Sequence, residues 1–174
     1  MALKEILTEP NEILRQKSSP VEKVDSDLQK LMDDMLETMY AAPGIGLAAI
    51  QIGVPKRVIV MDLSRKHESK NPMFFVNPEI ITKSKNNSTY EEGCLSVPDQ
   101  FAEIDRPDKC HVKYLDYYGN AKEIKAEGMI ATCIQHEMDH LEGVLFIDYL
   151  SKLKKTMIIK KLSKHKGKVD RIVV

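Results

Sequence analysis

The stretch MIATCIQHEMDHLEG, residues 129–143, decides how the rest of the chain reads. It is apolar on most sides and ends at Gly143, the pattern of a helix over 129–142 buried in the middle of a domain. A buried helix that carries His136, Glu137, Asp139 and His140 needs a reason for them, because desolvating polar groups without partners is costly. His136 and His140 lie four residues apart, so both imidazoles project from one helical face and can reach a single metal ion. Glu137, beside the first of them, is placed to take a proton from a metal-bound water and deliver it to a leaving group. The bland alternative is a polar patch on an ordinary amphipathic helix, which the otherwise apolar composition disfavours.

Catalytic sites of this kind use three protein ligands and leave a position for water, so a third ligand is required. Cys133 shares the helical face but precedes His140 by seven residues, about 10 Å of helix rise, too far for a short side chain to share one ion. Cys94 is the better candidate. It lies in Glu92-Gly93-Cys94-Leu95-Ser96, where Gly93 lets the backbone take an unusual course and Pro98 restricts the chain beyond it. Cys110 reads as a small hydrophobe in a strand. A third element, GIGLAAIQ at residues 44–51, is a run of small residues that an incoming chain could approach closely, ending in an amide able to donate a hydrogen bond. It lacks the full dinucleotide-binding fingerprint, which disfavours a nucleotide cofactor.

Outward from these stretches, Leu28, Leu31, Met32, Met35, Leu36, Met39 and Tyr40 form one apolar stripe, predicting a helix over 28–40 that is capped by Asp25 or Ser26 and stopped by Pro43-Gly44. Strands are expected over 58–63 and 73–81, with a pair over 111–117 and 123–126 turning at Gly119-Asn120, and 83–89 reads as a short linker. A surface helix is expected over 152–165. The fold class is α+β: small antiparallel or mixed sheets around a central metal-binding helix, in a single catalytic domain over 1–174.

A length of 174 residues with 43% hydrophobic composition suits one folded domain. No apolar run approaches the ~20 residues of a membrane span, and the first fifteen residues resemble neither a secretion signal nor a transit peptide, so the expected location is the cytoplasm. Three cysteines without an export signal argue against a disulfide framework. The net charge is zero, yet residues 151–174 hold nine Lys/Arg against Asp170 alone, giving this tail +8 and the remainder −8.

GIGLAAIQ, EGCLS and HEMDHLEG, in this order, resemble the three signature motifs of peptide deformylase, and the resemblance covers nearly the whole chain. It implies metal ligation by Cys94, His136 and His140, with Glu137 as general acid/base. Gln51 and the backbone amide of Leu95 would then stabilise the oxyanion. The implied cofactor is one divalent ion, Fe2+, which Zn2+, Ni2+ or Co2+ can replace. The implied reaction removes the formyl group from N-formylmethionyl peptides. Met129, Thr132 and Cys133, one and two turns before the histidines, can line an apolar slot for the methionine side chain, and Ile45 and Gly46 would pair with the peptide backbone as an added strand does. The family often carries an arginine where this chain has Phe101, whereas Arg106 matches a second family arginine and is assigned with the substrate-binding residues. Glu92 could orient a ligand, pair with Arg106, or lie in solvent.

Three other readings stay open on the sequence. A metalloprotease would take its third ligand downstream, where only His165 remains and Glu142 lies too close. A cysteine hydrolase would use Cys94 as nucleophile and would survive chelation. A ribosome- or RNA-binding module would use the basic tail around a merely structural metal. The enzyme reading also leaves room for ribosome contact through that tail or for the tail as only a solvated helix face, for a monomer, and for His67, His111 and His165 as surface or packed residues.

Overall fold

The VIVM run at Val58–Met61 forms a strand, β2, that is buried along its whole length, as a strand covered on both faces must be. In this computed structural model, which describes residues 2–164, Val58 and Val60 join an apolar cluster with Leu28, Met32, Met35 and Met39 of helix α1 (Ser26–Ala41). Ile59 and Met61 join a second cluster, with Ala131, Ile134, Met138 and Leu141 of helix α2 (Gly128–Leu141). Alternate residues of one strand thus serve two helices on opposite faces of the sheet. Each fully buried methionine of α1 contributes roughly 1.5–3 kcal/mol of transfer free energy. Asp25 caps α1 by accepting from the Leu28 amide at 2.9 Å.

The five-stranded sheet runs in the order β1 (Gly46–Ala48), β2, β3 (Met73–Lys83), β6 (Lys109–Leu115), β7 (Ala121–Glu127). All its pairings are antiparallel. A separate hairpin joins β4 (Asn87–Cys94) to β5 (Val97–Pro107). Among the described residues, the one parallel contact is the isolated bridge between Ser19 and Lys56. The fold is α+β, with the ligand-bearing helix packed on the larger sheet.

Several boundaries differ from expectation. Residues 83–89, read as a linker, are the last residue of β3, a short turn at 84–86 and the start of β4. The outer part of β4 alternates exposed and half-buried positions, so it lacks the apolar run that marks a covered strand. The β6–β7 connection begins two residues earlier than expected, because Asp116 Oδ1 accepts from the amides of Tyr118 and Asn120 and closes the turn. The helix expected over 152–165 is observed as α3 (Lys152–Leu162); residues 165–174, including His165, lie outside the described part. Among the described residues, no helix is long and apolar enough to cross a membrane.

Two backbone contacts bring the N-terminal arm to the future site. The Leu7 amide donates to the Gln51 carbonyl at 2.7 Å, and the Glu9 amide donates to the Ser96 carbonyl at 2.8 Å. The arm therefore ties the short 3-10 turn after β1 (Ala49–Ile52) to the tip of the β4–β5 hairpin. Farther along, the Asn77 side chain exchanges two hydrogen bonds, each 2.8 Å, with the backbone of Val21. They hold the segment before α1 against a register shift in β3.

Candidate metal centre

Cys94 is the last residue of β4 and pairs with Val97, so Leu95 and Ser96 form the whole turn of the hairpin. The ladder shifts register between Glu92 and Cys94, the site of the unusual course expected at Gly93. This tip meets α2, where one ligand atom from each of Cys94, His136 and His140 lies within 4.8 Å of the others. The Cys94 Sγ stands 3.3 Å from His140 Nε2, and the two imidazole rings are edge to face with centroids 5.1 Å apart. All three side chains are buried.

The polar atoms left over fit a cation. His136 Nδ1 is 2.8 Å from Glu92 Oε1, which fixes the ring and leaves His136 Nε2 buried without a partner, as is Nδ1 of His140. Burial opposes charge on His136, but its interactions with the nearby Cys94 and with Glu92 outweigh that and raise its pKa to about 10. Burial and the nearby His136 drive His140 well below the ordinary histidine value. Two imidazoles this close do not both hold a proton, whereas one ion shared with the thiolate would take the lone pairs of the unpartnered His136 Nε2 and of His140 Nε2, the nitrogen beside Cys94.

Glu137 is fully buried and neither of its carboxylate oxygens has a hydrogen-bond partner. Burial pushes its pKa up to about 7, against the lowering effect of His136. Gly46 explains how strand and carboxylate coexist: a Cβ on residue 46 would overlap Glu137 Oε1, so only glycine lets β1 pass there. The Ile45 carbonyl accepts from the Asp62 amide at 2.9 Å, and by the alternation of an antiparallel ladder Gly46 then turns its own N–H and C=O away from β2, at the sheet edge.

Gln51 follows β1 and is fully buried. Its Oε1 accepts from the Ala48 amide at 2.9 Å, which aims the NH2 group at the hairpin tip. There Nε2 donates to Ser96 Oγ at 3.0 Å and lies 3.5 Å from Cys94 Sγ. Leu95, beside the thiol, is also buried. The candidates for the apolar slot divide: Met129 is 41% exposed at the start of α2, Cys133 lies in the core cluster against the sheet, and the Thr132 hydroxyl is buried without a partner.

Arg106, grouped above with the substrate-binding residues, is engaged within the protein. It is buried, with Nε and Nη2 on the two oxygens of Glu92 at 2.7 and 3.0 Å, and Nη1 on Asp139 Oδ2 at 2.8 Å. Two carboxylates hold its guanidinium, so it braces Glu92 from behind. Glu92 accordingly does two of the things expected of it, orienting His136 and pairing with Arg106. Its burial would raise its pKa, but the His136 and Arg106 hydrogen bonds outweigh that and hold it below the usual carboxylate range.

Sequence reasoning missed Ser96, which receives the Gln51 amide, and the role of Asp139. Ser96 lay inside the EGCLS stretch, and Asp139 stands three residues after His136, so the signals were adjacency alone. His111, expected on the surface or packed, pairs with Glu123 at 2.8 Å.

The family model described as Polypeptide deformylase matches residues 3–156 of this chain. The chain belongs to the peptide deformylase family. Peptide deformylase from Pelagibacter ubique (strain HTCC1062) is 70% identical over 174 residues, covering 100% of both chains. That of Phenylobacterium zucineum (strain HLK1) is 64% identical over 165 residues, 95% of this chain and 98% of its own. Among solved structures, peptide deformylase from Ehrlichia chaffeensis in complex with actinonin superposes with a TM-score of 0.91 at 45% identity, covering 96% of this chain and 100% of that one. The chain is thus a hydrolase of the deformylase family, and its Cys94, His136 and His140 form a group able to hold a metal ion.

Proposed function

We propose that this chain hydrolyses the N-formyl group of N-formylmethionyl peptides, releasing formate, with a divalent ion held by Cys94, His136 and His140. The observation that carries the reading is the convergence of those three buried ligands beside a buried carboxylate, Glu137, that has no hydrogen-bond partner. Two neutral imidazoles and one thiolate would leave a divalent ion held there with one net positive charge, and it would supply Lewis acidity for a water and the formyl oxygen. Fe2+ is the proposed ion, with Zn2+, Ni2+ or Co2+ able to replace it, since a nitrogen and sulfur donor set suits these metals.

The chain's own groups would do the remaining work. Glu137, with a pKa near neutrality before any ion is considered, takes the proton of the attacking water and passes it to the amine nitrogen of the departing methionine. The formyl oxygen gains negative charge as the carbonyl becomes tetrahedral, and Gln51 Nε2 and the Leu95 N–H donate to it. One such donor is worth ~3 kcal/mol of transition-state stabilisation. Gly46, at the open edge of β1, pairs with the peptide backbone as an added strand, with Ile45 beside it. Thr132 and Cys133, with Met129 at the mouth, bound the methionine side chain. The protein acts as a monomer in the cytoplasm, and the basic α3 with the residues after it contacts ribosomal RNA.

The test is to purify the protein without air, measure its metal content, and assay a formyl-Met peptide against an acetyl-Met peptide with and without chelator. Turnover of the formyl peptide alone, abolished by chelator and restored by Fe2+, is expected. Turnover that survives complete metal removal would favour Cys94 as a nucleophile and overturn the reading.

A further inference from the structure

The contacts of Arg106 do not stop at Glu92. Asp139 Oδ2 receives Arg106 Nη1 at 2.8 Å and also the hydroxyl of Tyr149 at 2.7 Å. The Tyr149 ring in turn lies under the same guanidinium, 4.9 Å from ring centroid to Cζ. Tyr149 closes the 3-10 turn Phe146–Tyr149, whose first residue stacks on the His136 ring with centroids 6.2 Å apart and planes at 25°. One short turn therefore touches His136 twice: directly through Phe146, and at a distance through Tyr149, Asp139, Arg106 and Glu92.

We infer that Asp139 and Tyr149 are positioning residues of the metal centre, acting through Arg106 and Glu92 to hold the His136 imidazole in its ligating orientation. The inference rests on the metal reading of Cys94, His136 and His140. Each link is chemically constrained. Glu92 can face His136 Nδ1 in a dry site only while its negative charge is balanced, and the Arg106 fork balances it with two hydrogen bonds. Arg106 contacts Glu92 through Nε and Nη2, and Asp139 anchors Nη1, the remaining nitrogen of the rigid guanidinium plane, which would otherwise be left without this partner. Asp139 is itself partly exposed on α2, and the Tyr149 hydroxyl gives its Oδ2 a second donor. The order of the chain predicts graded effects, because Tyr149 is 52% exposed and water can replace its hydroxyl, whereas the Arg106 and Glu92 end is buried.

The full-length protein loaded with Co2+ gives the test, read by its visible absorption bands and by the rate at which the ion passes to excess chelator. Loss of groups that orient ligands typically weakens metal binding 10–100-fold, so Asp139→Asn is expected to release Co2+ about tenfold faster and to shift the bands. Tyr149→Phe keeps the ring over Arg106 and removes only the hydroxyl; release about threefold faster is expected, toward the low end of such effects. Tyr118→Phe, at an exposed tyrosine remote from the centre, should leave both readouts unchanged. The inference is overturned if Asp139→Asn and Tyr149→Phe keep native release rates and spectra while Glu92→Gln loses the ion faster, since orientation would then end at Glu92. It is equally overturned if a core variant of matched thermal stability, such as Met32→Leu, loses Co2+ as fast as Asp139→Asn. A native protein that takes up no Co2+, or takes it up without a sulfur-to-cobalt absorption band, would instead strike the metal reading itself.

Discussion

The metal centre and the outer face of β3, β6 and β7 are both rich in charged side chains, and they use them in opposite ways. On the sheet surface, Lys113 pairs with Glu79, His111 with Glu123 and Lys109 with Glu127. These groups are for the most part well exposed, and water would solvate them equally well. In the centre, Glu92, His136, Glu137 and His140 are sealed from solvent, and several of their polar atoms have no partner at all. Charge in solvent needs no reason, whereas charge held in a dry site without a partner has a cost that only a ligand or a reaction explains.

The most severe challenge to this contrast is Glu137→Gln, which keeps the shape of the side chain and removes its ability to carry a proton. Deformylation should fall about 10²–10⁴-fold, the usual range for a general acid/base, with metal content and fold retained; steady-state assay and metal analysis check it. Native turnover in this variant would place proton transfer elsewhere. An intermediate case is Asp148, which binds Arg15 at 2.6 Å and Lys155 at 2.6 Å. Burial raises its pKa, but those hydrogen bonds outweigh it and hold the folded value below the ordinary one. The unfolded chain therefore takes up this proton first as pH falls, so the stability Asp148 provides is full above about pH 4 and is lost as pH drops through the folded value. Denaturant unfolding of Asp148→Asn should show a deficit at pH 7 that closes below about pH 4; a deficit constant with pH would contradict the ion-pair account. The smallest effect belongs to the surface: Lys113→Ala should change unfolding free energy by no more than about 0.5 kcal/mol and leave turnover native.

The same contrast explains what the sequence made legible. Helices α1 and α2 announced themselves because each buries an apolar stripe, and the three motifs stood out because ligand chemistry demands fixed residue types at fixed spacing. The β4–β5 hairpin was hidden. Its outer residues, Asn87, Thr89 and Glu91 among them, face water and show no apolar run, although the strand ends at Cys94 in the driest part of the protein. Long-range partnerships were hidden for a different reason. Glu92 and His136 are 44 residues apart, and Arg106 and Asp139 are 33 apart, so only the crossing of hairpin and helix brings them together. That is why Arg106, grouped with the substrate-binding residues through its match to a family arginine, gave no sign in the sequence of the two carboxylates that hold it. The requirement for glycine at residue 46 was likewise visible only in part: a small residue was expected for an approaching chain, and the structure adds that Glu137 already fills the space a Cβ would need.

Every functional step proposed for this chain depends on one ion gripped by a hairpin sulfur and two helix nitrogens. X-ray absorption spectroscopy at the metal edge of the loaded protein reads that grip without an intermediary. One sulfur and two imidazole nitrogens from the protein are expected, with the sulfur lost in Cys94→Ser; a shell without sulfur in the native protein, or one unchanged by that substitution, would refute it.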